Sequence, residues 1–363
     1  MSRFLGRLLL VTLPLAALLV VEALLPIDAF TFRAWEALEI RSRLVDTRAV
    51  RLFPYTTLPG PFLPDARLAL IEEGDLGHHT PLAQHRSVSW VTDEWGYRVS
   101  PGGADPELVL VGDSEVVGTG LDQGETIAEV LRNRHDVGAY PYAPSDLAAF
   151  FADRRFSERP PRLLVVECVE RQVLEDYQVM PVVRPKPRPV RLIQSAPLRA
   201  FETAWNRLTR LAALGYLRAR INGRPTPLAR GDLLFLRGLD EVAAPDPARL
   251  RAAAETLAQL AARARARGMR FAVLVVPDKE TIYADLFDGA SRPPLLAALR
   301  RELQARGVEA IDLEEPFLAA RARGEQPYLS DDTHWSASGV RLAGALVAAW
   351  AGSPRTDQGT LDR

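Results

Sequence analysis

Leu108 to Val111 reads Leu-Val-Leu-Val, with no polar residue at either parity, and Leu163 to Val166 and Phe271 to Val276 share that character. A strand with one wet face alternates apolar and polar residues. A run that is apolar at every position needs cover on both faces, as in a parallel sheet held between layers of helices. Helical patterns separate the runs: Thr126, Ile127, Val130 and Leu131; then Leu250, Ala254, Leu257, Leu260 and Ala261 within Pro247 to Arg267; then Leu295 to Arg306. Glu309 to Leu313 reads as a last strand. The alternation predicts an α/β fold with a parallel central sheet flanked by helices. A chain of 363 residues has ample length to bury such a core.

Each apolar run ends in residues able to do chemistry. Gly112-Asp113-Ser114 follows the first and places a serine on a strand-to-helix corner, at the carboxyl edge where open α/β sheets bind ligands. Backbone N–H groups of the turn point the same way and favour developing negative charge. A serine hydroxyl needs a base. Ser330-Asp331-Asp332-Thr333-His334-Trp335 supplies one, with His334 one of only five histidines. A carboxylate two or three residues before the imidazole reaches Nδ1 and leaves Nε2 for the hydroxyl. Gly-Asp-Ser alone is a common turn, and an Asp or Ser ahead of a helix is a common cap; the catalytic reading rests on the pair.

Glu167, Glu170 and Arg171 follow the second run. Charges there are costly unless paired, so they read either as a structural Glu–Arg pair or with Arg171 turned into the cleft toward a sugar hydroxyl, carboxylate or oxyanion. Pro277-Asp278-Lys279 and Tyr283 follow the third run. Only Lys186 and Lys279 among the 45 basic residues are lysines, which singles out Lys279; its position at the sheet edge predicts a ligand or an acidic partner.

Taken together, these motifs resemble the SGNH (GDSL) hydrolase superfamily and, within it, the periplasmic O-acetyltransferases of the alginate type. Asp332-Thr333-His334-Trp335 is similar to that group's Asp-Thr-His-Trp motif, Pro277-Asp278-Lys279 with Tyr283 to its Pro-x-Lys-x-x-x-Tyr segment, and Glu167 to Arg171 to its Glu-x-x-Glu-Arg element. The resemblance spans Trp90 to Trp350. It implies a flavodoxin-like three-layer fold and a triad of Ser114, His334 and Asp332, with Asp331, at the commoner SGNH spacing, as the alternative acid. It further implies a second oxyanion donor at Gly138 and substrate contacts at Arg171, Lys279, Tyr283 and Trp335. The serine precedes the histidine, the ordinary SGNH order rather than that of the alginate enzymes. Glu167 to Arg171 stands where many SGNH hydrolases carry a Gly-x-Asn-Asp block.

Forty-five basic against 46 acidic residues leave a net charge of −1, which argues against nucleic-acid binding. The single cysteine, Cys168, excludes an internal disulfide and reads as a small buried hydrophobe. His78, His79 and His85 lack metal-ligand spacing, so neither a metal nor a cofactor is expected. Arg3 and Arg7 precede an apolar run from Leu8 to Leu25, about 27 Å as a helix, enough to cross a bilayer core. Positive charge ahead of the run predicts an uncleaved anchor in the inner membrane with the remaining chain outside.

The expected organisation is a cytoplasmic tip and transmembrane anchor at 1–28, and a juxtamembrane helix or plain linker at 29–86. The catalytic domain follows at 87–352, with a helical insertion or lid at 181–245 behind a proline-rich strap, and a flexible tail at 353–363. The function expected from the resemblance is O-acetylation of a cell-envelope or secreted polysaccharide through an acyl-serine. The acceptor would be the polysaccharide, and a membrane-bound O-acyltransferase would supply the acyl group. An esterase or deacetylase of acylated carbohydrate on the same scaffold is an alternative, as is a non-catalytic polysaccharide-binding assembly protein.

Overall fold

The computed structural model describes residues 60–62, 65–77, 82–100, 105–177, 227–236, 245–287 and 294–354, together with 6, 12–14 and 17. The strands are β1 (Arg67–Glu72), β2 (Arg86–Val91), β3 (Leu108–Val111), β4 (Ala139–Tyr142), β5 (Leu163–Val169), β6 (Leu228–Arg230), β7 (Leu233–Phe235), β8 (Arg270–Val276) and β9 (Glu309–Asp312). The helices are α1 (Ser114–Val117), α2 (Ile127–His135), α3 (Leu147–Ala152), α4 (Arg154–Glu158), α5 (Glu170–Asp176), α6 (Pro247–Arg265), α7 (Lys279–Ile282), α8 (Leu295–Ala305), α9 (Glu314–Ala322) and α10 (Ala337–Gly352).

Five strands form the central sheet in the order β4-β3-β5-β8-β9, every neighbouring pair parallel. Numbered along the chain, these five lie 2-1-3-4-5, the flavodoxin-like order whose switch point lies between the first and third strands. The three apolar runs become β3, β5 and β8, and every residue of each is buried. Alternate side chains feed two cores. Leu108, Leu110, Leu163, Val165, Ala272 and Leu274 meet α2 and α10 on one face; Val109, Val111, Leu164, Val166, Phe271 and Val273 meet α3, α4, α6 and α8 on the other. Each buried Leu, Val or Phe is worth about 1.5–3 kcal/mol relative to exposure, which makes both layers strongly favourable. The longest helix, α6, starts where its composition dictates: Asp246 caps it by accepting from the Ala248 N–H at 2.8 Å, and Pro247 occupies the first turn, where a missing N–H costs nothing.

One expected boundary moves. Residues 60–62, 65–77 and 82–86, read from their Pro/Gly content as part of a linker, belong to the folded unit. β1 pairs antiparallel with β2 from Arg67↔Val91 to Glu72↔Arg86, and Phe62, Leu70, Val88 and Trp90 enter the first core. The alternation that hides Leu70 and Glu72 while exposing Arg67, Ala69 and Ile71 is short and flanked by turn residues, which masked it in the sequence.

Among the described residues no helix is long and apolar enough to cross a membrane. Most of the anchor expected at Leu8 to Leu25, the juxtamembrane helix, most of the lid from 181 to 245 and most of the tail lie outside the described residues.

Candidate active site

β3 delivers Ser114, the expected nucleophile. Val111 ends the strand, Gly112 turns the chain, and Asp113 caps α1 by accepting from the Glu115 N–H at 2.8 Å. The turn lies over the side chain of Glu167 at the end of β5, which accepts from the Asp113 N–H at 3.1 Å. A Cβ at residue 112 would collide with that carboxyl and with Val116, so only glycine fits. The far end of α1 is secured by Arg98, 1% exposed, whose guanidinium donates to the carbonyls of Val117, Gly118, Leu121 and Ser89 at 2.6–3.2 Å. A buried cation satisfies the orphan carbonyls that end a helical turn. Sequence reasoning assigns Arg98 no role.

The chain from Tyr328 to Trp335 delivers the base. His334 Nε2 lies 2.8 Å from Ser114 Oγ, and Nδ1 lies 2.6 Å from Asp332 Oδ1. Asp332 also accepts from the His334 N–H at 3.2 Å. Burial disfavours the imidazolium, but the carboxylates of Asp332 and Glu115 outweigh it and push His334 up to about 9.

Asp331, one residue earlier, does other work. Its carboxylate accepts from the Gly74 N–H (2.9 Å), the Gln84 N–H (2.8 Å) and Arg86 (2.6 Å), and its carbonyl accepts from the N–H groups of Leu76 and Gly77. The approach at Gly74 is so close that a Cβ would run into the Asp331 backbone. Asp331 therefore binds the amino-terminal hairpin to the base loop, and Asp332 alone faces the imidazole. That hairpin also supplies Asp75, which the sequence did not flag. It accepts from the Thr333 N–H at 2.9 Å and the Thr333 hydroxyl at 2.7 Å. Asp75, Asp332 and His334 bring ligand-capable atoms within 4.8 Å of one another. Within the group Nδ1 faces Asp332, and both Asp75 oxygens accept from Thr333.

Three expected substrate contacts and the expected second oxyanion donor need correction. Lys279 is 1% exposed and faces no ligand: its ammonium donates to the carbonyls of Leu234, Leu329, Ser330 and Asp332 at 2.7–3.1 Å. It pins β7 and the base loop together; burial, opposed by nearby carboxylates, lowers it to about 8. Tyr283 is a core residue, packed edge-on to Phe235 with Arg321 over its ring. Trp335 is fully buried and meets the site through its backbone N–H, which donates to Glu115 Oε2 at 3.2 Å. Gly138 lies at the opposite end of the sheet. Its carbonyl accepts from the Leu108 N–H at the start of β3, because β4 begins at Ala139 and runs parallel to β3. The loop at the correct edge follows Tyr142. There the Ser145 N–H donates to Gly112 O at 2.9 Å, and the Ser145 hydroxyl is buried without a partner among the described residues.

Arg171 pairs with Asp278 rather than with either neighbouring glutamate, and its side chain keeps 24% exposure. Glu170 instead accepts from the Asp278 N–H (2.9 Å) and the Thr281 hydroxyl (2.7 Å). Burial raises Glu115 to about 8, despite the attraction of His334, and raises Glu167 well above the ordinary carboxyl range. Cys168 is buried and its thiol is pushed up by the same desolvation.

A hydroxyl, an imidazole and a carboxylate thus lie in a hydrogen-bonded series, an arrangement able to activate a hydroxyl for attack. No curated protein matches the chain. Residues 228–359, which hold Lys279, Tyr283, Asp332, His334 and Trp335, match the family ALGX, described as the SGNH hydrolase-like domain of acetyltransferase AlgX.

Proposed function

We propose that the protein is an O-acetyltransferase of a cell-envelope or secreted polysaccharide, working through an acyl-serine. The hydrogen-bonded series Ser114–His334–Asp332, at 2.8 and 2.6 Å, is the observation that carries this reading. The match to an acetyltransferase domain supports its chemistry.

In the first half-reaction Ser114 Oγ attacks the donor's acyl carbonyl while its proton passes to His334 Nε2. The tetrahedral adduct collapses, and the leaving group takes that proton. In the second half-reaction a sugar hydroxyl attacks the acyl-serine and gives its proton to His334. Collapse then releases the acetylated sugar and returns the proton to Ser114. Asp332 holds the imidazole in the required tautomer and offsets its positive charge during each transfer. Hydroxyl and amide hydrogens near the nucleophile turn, with the Ser145 hydroxyl as one candidate, would receive the oxyanion.

An extracytoplasmic setting, with anchorage through Leu8 to Leu25 and a donor relayed by a membrane-bound O-acyltransferase, completes the proposal. Acetyl-CoA does not reach that compartment.

The test is mass spectrometry of the intact protein after exposure to an activated acetyl ester, with and without oligosaccharide acceptors. A 42-Da adduct confined to Ser114 (about one acetyl group by mass) that discharges onto added sugar supports the transferase. An adduct lost to water at the same rate with or without sugar favours the esterase. A Ser114→Ala strain that acetylates its polysaccharide normally would remove catalysis from the protein.

A further inference from the structure

Glu115 directly follows the nucleophile and Trp335 directly follows the base, and one hydrogen bond joins them. Glu115 Oε2 accepts from the Trp335 N–H at 3.2 Å, across 220 residues of sequence. The carboxyl is 2% exposed. We infer that Glu115 is a positioning residue for the serine–imidazole pair, holding the two catalytic turns in register and bringing a second carboxyl's charge to bear on His334. This rests on the proposed Ser114–His334 chemistry.

Burial of a carboxyl beside an imidazole has two separable effects. As an acceptor, either protonation state of Glu115 can receive the Trp335 N–H, and so can an amide oxygen. As a charge, only the carboxylate stabilises the imidazolium. The groups facing the pair come from every neighbouring element: Asp332 on the base loop, Asp75 on the amino-terminal hairpin, Asp113 at the cap of α1, Glu167 on β5 and Arg171 on α5. Glu115 is raised by burial and lowered by His334, while His334 is raised by Glu115. The charge of each group therefore biases the titration of the other. Losing the Glu115 charge makes His334 easier to deprotonate, so the base becomes available at lower pH.

Two variants separate the effects. Glu115→Gln keeps an acceptor and volume; Glu115→Ala removes acceptor and charge. With the full-length protein and p-nitrophenyl acetate as the probe, the acid limb of the kcat/KM profile of Glu115→Gln is expected to move down by about one pH unit, a tenfold change in proton concentration. The His334 ring resonances, followed by NMR, should move with it, and plateau activity should fall less than about threefold. Glu115→Ala is expected to lose roughly tenfold or more at every pH through misregister. Superimposable pH profiles and ring titrations for wild type and Glu115→Gln would overturn the inference, as would equal plateau rates for Glu115→Gln and Glu115→Ala. If Ser114→Ala and His334→Ala retain wild-type turnover, the catalytic reading beneath it fails instead, and that outcome is distinguishable.

Discussion

Lys279 and Asp331 on the imidazole side of the site, and Glu115 and Glu167 on the hydroxyl side, are all at most 2% exposed, yet their charges are handled differently. On the imidazole side the charged groups mostly have fixed partners, although two nitrogens of Arg86, Nε and Nη2, are buried without a hydrogen-bond partner among the described residues. Lys279 serves four carbonyls, Asp331 takes three donors on its carboxylate, and Asp75 takes both donors of Thr333. On the hydroxyl side Glu115, Glu167 and Glu170 crowd the ends of β3 and β5, and Arg171 is spent on Asp278. One oxygen each of Glu167 and Glu170 is buried without a partner among the described residues. Burying a lone carboxylate costs far more than burying the neutral acid. The hydroxyl side is therefore kept stable by retained protons, the imidazole side by fixed ion pairing. The first should respond to pH and the second to substitution.

Neighbouring aspartates give the sharpest test of that contrast. Asp332→Asn is expected to lower kcat by about 10⁴-fold, with little loss of stability, because the amide stabilises the wrong imidazole tautomer. Asp331→Asn should do the reverse, leaving several backbone and guanidinium donors underserved and costing about 2–4 kcal/mol. Steady-state kinetics beside urea denaturation of both variants reads the difference; equal kinetic defects would erase the division of labour. Lys279→Met strands four buried carbonyls and is expected to cost about 3 kcal/mol, seen as a lower denaturation midpoint at neutral pH. Glu167→Gln, which replaces a carboxyl whose burial favours the protonated form, should change stability by less than about 1 kcal/mol at pH 7 and be relatively stabilising at pH 9.

The smallest effect is the pH dependence of wild-type stability, and its sign follows from the direction of each shift. Glu115 moves from 4.5 in the unfolded chain to about 8, and His334 from 6.5 to about 9. In both windows the folded protein binds more protons, so stability present at pH 5 is lost progressively as pH rises toward 9. Lys279 moves from 10.5 to about 8 and opposes the trend only above pH 8. Denaturation midpoints should fall from pH 5 to pH 9, while turnover limited by neutral His334 rises over the same range; a midpoint that rises instead would contradict the retained-proton account.

The sheet was legible because runs such as Leu108–Val111 admit only one environment. Ser114 and His334 stood out because few residue types do nucleophilic chemistry and the strand ends say where they gather. Side-chain direction was not legible. Lys279 sits on a suggestive motif at the carboxyl edge, but nothing in its neighbours' identity reports that it points inward at carbonyls. Gly138 was misplaced by the location of one strand boundary, since a parallel strand beginning at Ala139 sends the residue before it to the wrong edge. Asp331 and Asp332 differ by one position, and only the partner hairpin at Gly74 and Arg86 separates their duties. That hairpin looked like linker because six alternating residues in a Pro/Gly-rich setting carry too weak a periodicity.

The donors to Asp331 come from residues 74–86, the hydroxyl from residue 114 and the imidazole from residue 334. No contiguous portion of the polypeptide thus owns a working centre. A fragment trimmed to residues 228–359 would keep the base and its orienter yet lack both its target and its brace, and a chain still emerging from the ribosome would be equally inert. The acyl chemistry proposed for Ser114 would accordingly require the whole length to be threaded into place before it could begin.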